Sequence, residues 1–289
     1  MSTGNSKKTQ QHFFWGLDCG SSEIKVCVSD SQGRVLEKRK QRTLFPLLDH
    51  VHKVLRPGPH ALTPLDEAGG AKPGHTVVAT GYGRHHIRFI DQKITEIKAH
   101  QIGVQRQLSL NEPYTIVDIG GQDSKVIQVD NSRVDQFVIN RKCAAGTGAY
   151  IEELAHRLEV PLGDLTGLAR RHDKQLTLNS YCTVFSGQEV IKTLMNGERL
   201  ENLIYALYSS VVQRVLEMTA FSTERVVLSG GVLEFNPMLM EIMSQRLPGK
   251  RIELAPNPQY CGALGALYHA MDLESALSPD IRLQAALES

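Results

Sequence analysis

Two short acidic turns that contain glycine are the segments of this chain best suited to bind polyphosphate. The first reads DCGSS at 18–22 and the second reads DIGGQD at 118–123, and each follows a short apolar run. Glycine allows successive backbone N–H groups to point to one side, and such a concave set of donors binds phosphate oxygens. A carboxylate at the end of a strand holds Mg²⁺, commonly through water. We therefore predict a site for Mg²⁺ and a polyphosphate, with Asp18 and Asp118 as catalytic carboxylates.

The two turns belong to an internal repeat with a constant offset of 100 residues. In both copies the order is strand, acidic turn, strand, turn, strand, with helices following. This repetition predicts two similar α/β domains that face one another, with a ligand in the cleft between them. The alternative is a pair of tight hairpins whose acidic side chains only satisfy turn amides. The aligned residues are Asp18, Gly20, Glu23, Lys25, Val26 and Asp30 in the first copy, and Asp118, Gly120, Asp123, Lys125, Val126 and Asp130 in the second.

A third glycine turn, SGG at 229–231, follows the apolar segment 226–228, and a helix is predicted to open at Pro237. A glycine pair at such a junction would let a nucleoside lie against the backbone. Taken alone, the segment is an ordinary strand–helix connection. It indicates nucleotide binding only together with the two acidic turns.

The five cysteines are widely spaced, without a CxxC pair, which excludes a zinc finger and a disulfide framework. Cys143 and Cys182 each stand just ahead of a predicted helix, where an N-terminus favours thiolates. A cubane iron–sulfur cluster binds through four cysteines, so two chains would have to share one at their interface. The alternative is that both are small buried residues. Cys19, Cys27 and Cys261 are interpreted as packing residues.

The apolar patterns predict a mixed α/β chain. Strands are expected at 13–17, 24–28, 34–40, 76–79, 115–117 and 225–228, a loop at 57–75, and helices at 94–110, 145–159, 186–196, 199–220 and 262–272. The predicted organisation is a disordered lead (1–12), a first α/β domain (13–112), a second α/β domain that contains Cys143 and Cys182 (113–260), a C-terminal helix packing back on the first domain (261–275), and a tail (276–289).

Composition and missing motifs exclude several functions. Lys and Arg number 32 against 31 Asp and Glu, and this balance argues against nucleic acid as the main partner. No apolar stretch approaches the length of a membrane-spanning helix, and the first residues lack the apolar core of a signal peptide, so a cytoplasmic location is expected. The sequence contains no P-loop motif, which excludes a P-loop NTPase, and no GxSxG motif, which argues against an α/β-hydrolase.

Taken together, the acidic turns and the SGG turn resemble the ATPase superfamily of actin, Hsp70 and the sugar kinases. More specific strings are similar to a narrower group, which contains the ATP-hydrolysing activators of 2-hydroxyacyl-CoA dehydratases and the ATP-binding subunits of benzoyl-CoA reductase. The resemblance covers about residues 13–272. These strings are ATGYGR (79–84), DIGGQDSKVI (118–127), KCAAGTG (142–148), CTVF (182–185) and QYCGALGAL (259–267).

This resemblance implies a fold of two similar actin-like ATPase domains, built from ribonuclease-H-like βββαβα units, that flank a nucleotide cleft. It implies ATP, Mg²⁺ and one [4Fe–4S] cluster shared between two subunits, with Cys143 and Cys182 as ligands, and it adds Gln122 to the catalytic residues. The implied nucleotide-binding residues are Gly20, Ser21, Ser22, Glu23, Ile24, Lys25, Gly120, Gly121, Gln122, Gly230, Gly231 and Gln259.

Within the group, the chain length and the segment SGQE at 186–189, where activators typically carry an AESE-like run, favour the ATP-binding subunit of benzoyl-CoA reductase. Such a subunit couples ATP hydrolysis to low-potential electron transfer from ferredoxin for dearomatising reduction of benzoyl-CoA. Its implied partners are a second homologous ATPase subunit, larger iron–sulfur catalytic subunits and ferredoxin. One alternative is a homodimeric activator of a 2-hydroxyacyl-CoA dehydratase. Another is a small-molecule kinase, which needs an acceptor pocket and a positioned base but no cluster.

Overall fold

Two five-stranded sheets with the same topology form the framework of the chain. The computed structural model describes residues 12–58, 62–141, 143–178 and 183–276. The first sheet has the order β3-β2-β1-β4-β5 and the second has the order β10-β9-β6-β7-β8. The strands are β1 (Phe13–Cys19), β2 (Glu23–Asp30), β3 (Val35–Arg42), β4 (His75–Thr80), β5 (Gln92–Lys93), β6 (Tyr114–Ile119), β7 (Ser124–Asp130), β8 (Arg133–Asn140), β9 (Arg225–Ser229) and β10 (Arg251–Leu254).

The repeat seen in the sequence is reproduced in strand pairing and register. In each copy the first three strands are antiparallel neighbours, and the first strand also pairs in parallel with a later one. Asp18 lies opposite Lys25, and Asp118 lies opposite Lys125. The second and third strands of each copy also carry a register shift at nearly the same place, after Val28 in one and after Gln128 in the other. The two sheets therefore repeat one local design.

The helices follow the strands in both halves. They are α1 (Leu47–Leu55), α2 (Glu96–Leu108), α3 (Gly148–Arg157), α4 (Leu165–Ala169), α5 (Thr183–Met195), α6 (Leu200–Leu216), α7 (Gly231–Phe235), α8 (Pro237–Arg246) and α9 (Cys261–Ala276). The sequence analysis did not predict α1, although the apolar residues Leu47, Val51 and Val54 recur at helical spacing. It also began α3 at residue 145, three positions early, for a reason that the site makes clear.

The chain divides into two compact units. One contains the described residues up to Gly103 and from Gly262 onward, and the other runs from Val104 to Cys261. We call them unit 1 and unit 2. The boundary between them lies inside α2, whereas the boundary expected from the sequence follows that helix. Unit 1 has a core in which α1 packs against Trp15, Leu17 and Val26, and the core of unit 2 is built around α3, α6 and α8.

Helix α9 belongs to unit 1 and approaches its neighbours at backbone distance. A Cβ atom on Gly16 would lie 2.0 Å from the carbonyl oxygen of Ala263, and one on Gly265 would lie 1.8 Å from that of Ala99. No side chain fits at either position. Part of the string QYCGALGAL is thus a packing motif, which seats α9 on β1 and α2.

None of the helices within the described residues combines the length and the apolar character that crossing a membrane requires.

Candidate functional site

The two acidic turns close with the same hydrogen bond. The N–H of Gly20 donates to the carbonyl oxygen of Glu23 (3.1 Å), and the N–H of Gly120 donates to that of Asp123 (2.9 Å). Ser21 and Ser22 at the first tip are exposed, as is Gln122 at the second. The repeat therefore produces two tips of the same shape.

At both tips backbone carbonyl groups accept hydrogen bonds, whereas several backbone N–H groups have no acceptor among the described residues. Thr43 covers the first turn, donating from its hydroxyl to Gly20 O (2.8 Å) and from its N–H to Ser22 O (2.9 Å). Among the described residues, no hydrogen-bond acceptor is found for the backbone N–H groups of residues 21, 22, 121 and 122. Unpaired amides at a turn of this kind bind anions.

Asp118 is a buried carboxylate held in place by two side chains. It is 4% exposed and accepts hydrogen bonds from Lys125 Nζ (3.2 Å) and from Ser229 Oγ (2.9 Å). Lys125 is also 4% exposed and donates to Asp123 (2.6 Å). Since a buried charge is tolerated when it is paired and hydrogen-bonded, this network fixes Asp118 at the base of the second tip.

Asp18 occupies the equivalent position of the first turn but is partly exposed. The equivalent lysine, Lys25, lies 3.4 Å from Glu23 in an ion pair. A Cβ atom on Gly262 would lie 2.7 Å from Asp18 Oδ2, so glycine at the start of α9 leaves room for this carboxylate. The repeat thus provides two carboxylates in different surroundings.

Ile24 departs from the other residues of the implied nucleotide set. Its side chain is fully buried in the core of unit 1. Any contact between this residue and a nucleotide would therefore come from its backbone. Glu23 and Lys25, on either side of it, are partly exposed.

In unit 2 the SGG turn lies against the second acidic turn. A Cβ atom on Gly230 would lie 2.3 Å from Ile119 O, and the N–H of Gly230 donates to Pro258 O (2.9 Å). This brings Gly231 next to Gln259, where a Cβ atom on the glycine would lie 3.9 Å from Gln259 Cβ. Unit 2 therefore gathers the predicted residues Asp118, Gly120, Gly121, Gln122, Gly230, Gly231 and Gln259 within one region.

Glu234 is a residue of this region that the sequence analysis missed. Its carboxylate accepts hydrogen bonds from the side-chain Nε2 of Gln259 (2.9 Å) and from its backbone N–H (3.2 Å). It thereby fixes the orientation of the Gln259 amide. The only sequence signal was a carboxylate in the short helix that directly follows SGG.

Cys143 lies in a loop that Asn140 holds by three hydrogen bonds. The side-chain amide of Asn140 donates to Cys143 O (3.0 Å) and Ala145 O (2.9 Å), and its oxygen accepts from Cys143 N–H (3.3 Å). The thiol-bearing residue is partly exposed. Its position is therefore defined by β8, which ends at Asn140.

Cys143 was predicted to stand just ahead of a helix that starts at residue 145, but α3 starts at Gly148, five residues after the cysteine. Gly146 has φ of +86°, and the extended Thr147 precedes the first residue of α3, so helix cannot begin at residue 145. The N–H groups of Gly148 and Ala149 donate to Gly120 O and Gly121 O, both at 2.9 Å. The first amides of α3 are thus bonded to the second acidic turn and not to the Cys143 sulfur.

The remaining cysteines separate into two groups. Cys19, Cys27 and Cys261 are buried, as the packing interpretation requires, and burial raises the pKa of Cys19 and raises that of Cys27 to about 12. Cys182 lies outside the described residues. Among the residues that are described, no three His, Cys, Asp or Glu side chains form a group able to hold a metal ion. One described cysteine, Cys143, thus remains accessible as a ligand.

Comparison with known proteins assigns the chain to a family. Residues 15–270 match the BadF/BadG/BcrA/BcrD ATPase family. The (R)-2-hydroxyglutaryl-CoA dehydratase activating ATPase of Acidaminococcus fermentans is 37% identical over 196 residues, covering 67% of this chain and 74% of the relative. The activator of lactoyl-CoA dehydratase from Anaerotignum propionicum is 38% identical over 198 residues, covering 68% of this chain and 75% of the relative.

A solved structure extends the similarity to the whole fold. Component A of (R)-2-hydroxyglutaryl-CoA dehydratase from Acidaminococcus fermentans superposes with a TM-score of 0.78 and 30% identity, covering 91% of this chain and 99% of that one. The expected mixed α/β fold of actin-like ATPases is thereby confirmed.

The expected assignment to a benzoyl-CoA reductase has weaker support than the fold. A benzoyl-CoA reductase subunit from Thauera aromatica is only 23% identical over 266 residues, covering 87% of this chain and 90% of the relative. The comparisons therefore support a dehydratase activator better than a subunit of benzoyl-CoA reductase. At the level that both comparisons share, the chain belongs to the BadF/BadG/BcrA/BcrD ATPase family.

Proposed function

We propose that this ATPase activates a 2-hydroxyacyl-CoA dehydratase by using ATP hydrolysis to deliver a low-potential electron to it. The observation that carries the proposal is the pair of acidic tips with unpaired amides, the second of which is bonded to the helix that follows Cys143. Identities of 37% and 38% to two activators, against 23% to the reductase subunit, favour this partner.

Each of the two tips offers hydrogen-bond donors to phosphate oxygens. The amides of residues 21 and 22 and the hydroxyls of Ser21 and Ser22 donate to phosphate oxygens, and in unit 2 the amides of residues 121 and 122 are the equivalent donors. Asp18, being partly exposed, holds Mg²⁺ through water. Gln122, exposed at the second tip, orients the attacking water, a role that Gln performs in other phosphoryl-transfer enzymes.

Asp118 has a positioning role at the second tip. Its two oxygens are engaged by Lys125 and Ser229, so it keeps the second tip and the SGG turn in register and contributes a fixed negative charge to the metal environment. Gly230 and Gly231 accommodate the nucleoside against the backbone. Gln259, oriented by Glu234, supplies polar contacts to it.

Among the described cysteines, Cys143 is the one suited to ligate a shared [4Fe–4S] cluster. Cys143 is partly exposed and fixed by Asn140, whereas the three buried cysteines are unsuited to ligate. Cys143 and Cys182 would hold the cluster together with the same pair from a second copy, which completes the four thiolates. When bound, such a cluster supplies one-electron transfer. The electron donor in this proposal is ferredoxin, and the acceptor is the dehydratase.

The iron content of anaerobically purified protein tests for the cluster and distinguishes the proposal from the kinase alternative. We expect about four iron atoms per two chains, with the absorbance of an iron–sulfur protein. Cys143→Ala or Cys182→Ala should remove the iron, and Cys261→Ala should retain it. Full iron content in Cys143→Ala would refute the shared site, and iron-free protein that phosphorylates a small molecule would support the kinase alternative.

The partner is tested by activation assays. Reduced protein with Mg-ATP is added to inactive lactoyl-CoA dehydratase or (R)-2-hydroxyglutaryl-CoA dehydratase, and dehydration is followed. The reductase alternative is assayed in parallel by supplying the larger subunits of benzoyl-CoA reductase and measuring reduction of benzoyl-CoA. Activity only in the second assay would reverse our choice.

A further inference from the structure

Unit 1 carries an exposed apolar surface that the proposed chemistry does not use. Phe45 is 91% exposed and Tyr82 is 75% exposed, and Leu44 and Leu48, which are near Phe45 in the chain, are also exposed. Exposed aromatic residues of this size, grouped and not scattered, mark an interaction site. We call these four residues, together with Arg84 and Arg88, the Phe45–Tyr82 surface.

The two parts of this surface are in contact. A Cβ atom on Gly83 would lie 2.8 Å from Leu47 Cδ2, so the start of α1 touches the 3₁₀ turn formed by Tyr82–His86. Beside this contact lies an open groove with a volume of about 430 Å³, lined by Leu48 from α1 and by His86, Arg88 and Phe89. The groove therefore has an apolar wall and adjoins the turn that carries Tyr82.

Two arginines, one in the groove and one beside it, give its rim positive charge. Arg88 lines the groove, Arg84 lies in the adjoining 3₁₀ turn, and within the described part of the chain neither arginine forms an ion pair with a carboxylate. The nearby Arg84 guanidinium, with Lys93 and His86, lowers the pKa of His85. Such a lowering is expected where cations crowd together. Asp49, in the first turn of α1, is a carboxylate on the adjoining helix.

The 3₁₀ turn is anchored to the first acidic turn. Gly81 has φ of +86°, and a Cβ atom there would lie 2.5 Å from the carbonyl carbon of Cys19. A Cβ atom on Gly83 would lie 3.2 Å from Cys19 Cβ. These two glycines of ATGYGR thus seat the turn on β1, and Tyr82 is presented from a fixed backbone. Preorganised aromatic side chains lose little freedom on binding.

We propose that the Phe45–Tyr82 surface is the docking site for an acidic segment of the dehydratase partner that carries exposed apolar side chains. The inference rests on the proposed function for the identity of the partner. The positive rim selects an acidic partner and accelerates encounter, and the two rings act as the buried anchors that dominate binding energy.

Binding of purified dehydratase to the immobilised holoprotein tests this assignment. The probes are (R)-2-hydroxyglutaryl-CoA dehydratase and lactoyl-CoA dehydratase. We expect Phe45→Ser and Tyr82→Ser each to weaken binding about tenfold or more. Arg88→Glu should slow association at low salt and flatten its dependence on ionic strength. Matched controls on the exposed strand β8 of unit 2, Phe137→Ser and Arg133→Glu, should bind within about twofold of wild type.

Two further measurements keep the outcomes separate. ATP hydrolysis without the partner should be unchanged in every variant, which shows that the fold and the nucleotide site are intact. Binding by Phe45→Ser and Tyr82→Ser at wild-type affinity would overturn the docking site. A lower molar mass of these variants in light scattering would instead assign the surface to a second copy of the chain. Hydrolysis of ATP by a wild-type protein that binds neither dehydratase would contradict the proposed function and this inference with it.

Discussion

The N–H of Gly148 donates a hydrogen bond to the carbonyl oxygen of Gly120 at 2.9 Å, and Ala149 repeats this bond to Gly121. The first turn of α3 is therefore attached to the backbone of an acidic turn, five residues after Cys143. Ser124, at the start of β7, also donates to Gly146 O in the same loop. A shift of the turn on hydrolysis would thus reach the cysteine loop through hydrogen bonds and not through a flexible link.

Gly146→Val is expected to uncouple hydrolysis from electron delivery. A β-branched residue at φ of +86° is strained, and its Cβ would lie 3.2 Å from Arg214 Cβ. We expect a folded protein that hydrolyses ATP but uses several-fold more ATP per dehydratase activated. Gly197→Val is the matched control, because Gly197 has φ of +85° but no atom within 4 Å of its Cβ position. Equal ratios in the two variants would show that the loop does not transmit the change.

Asp18→Asn and Asp118→Asn are both expected to slow ATP hydrolysis, but they should differ in their effect on stability. Both should slow ATP hydrolysis by about 100-fold or more, since each removes negative charge near the metal and the phosphates. Asp118→Asn should in addition unfold more easily, by about 2 kcal/mol, because it removes one of the two carboxylates that pair with the buried Lys125. Thermal melts measure the difference. Adding Lys125→Met to Asp118→Asn should recover part of the stability, and a melt of Asp118→Asn at the wild-type temperature would refute the buried pair.

Glu234→Ala is expected to raise the KM for ATP about tenfold with little change in kcat. The carboxylate accepts one hydrogen bond from the side-chain amide of Gln259 and one from its backbone N–H. Loss of an interaction made equally with the bound substrate and with the transition state raises KM alone. Glu234→Gln retains one acceptor and should restore part of the affinity. A fall in kcat at constant KM would instead place Glu234 in the reaction itself.

His75 should make unit 1 less stable in acid. Burial, together with Lys72 and His12, lowers the pKa of His75 to about 4, and Trp15 Nε1 donates to its Nδ1 at 2.9 Å. The unfolded chain binds a proton near pH 6.5, so the stability contributed by the neutral ring is present above that pH and is lost as the pH falls toward 4. The melting temperature between pH 7 and pH 5 should fall less in His75→Gln than in wild type. Equal falls would show that other groups are responsible.

The parts predictable from sequence are those encoded locally. The offset between Asp18 and Asp118 identified two copies of one three-stranded unit, because hairpin register depends on neighbouring residues. The start of α3 was misplaced, since only the φ of Gly146 and the bonds from Gly148 to a distant turn define it. Glu234 was missed for the same reason, because its partner Gln259 is joined to it only by the tertiary fold.

The ATP dependence of electron delivery tests the central claim most directly. The reduced protein is mixed anaerobically with inactive (R)-2-hydroxyglutaryl-CoA dehydratase or lactoyl-CoA dehydratase, and reduction of the dehydratase is followed by electron paramagnetic resonance with Mg-ATP, with a non-hydrolysable analogue and without nucleotide. We predict that at least one dehydratase is reduced in the presence of Mg-ATP, and that neither is reduced with the analogue or without nucleotide. Equal reduction in all three conditions, or none with Mg-ATP while ATP is hydrolysed, would contradict the account.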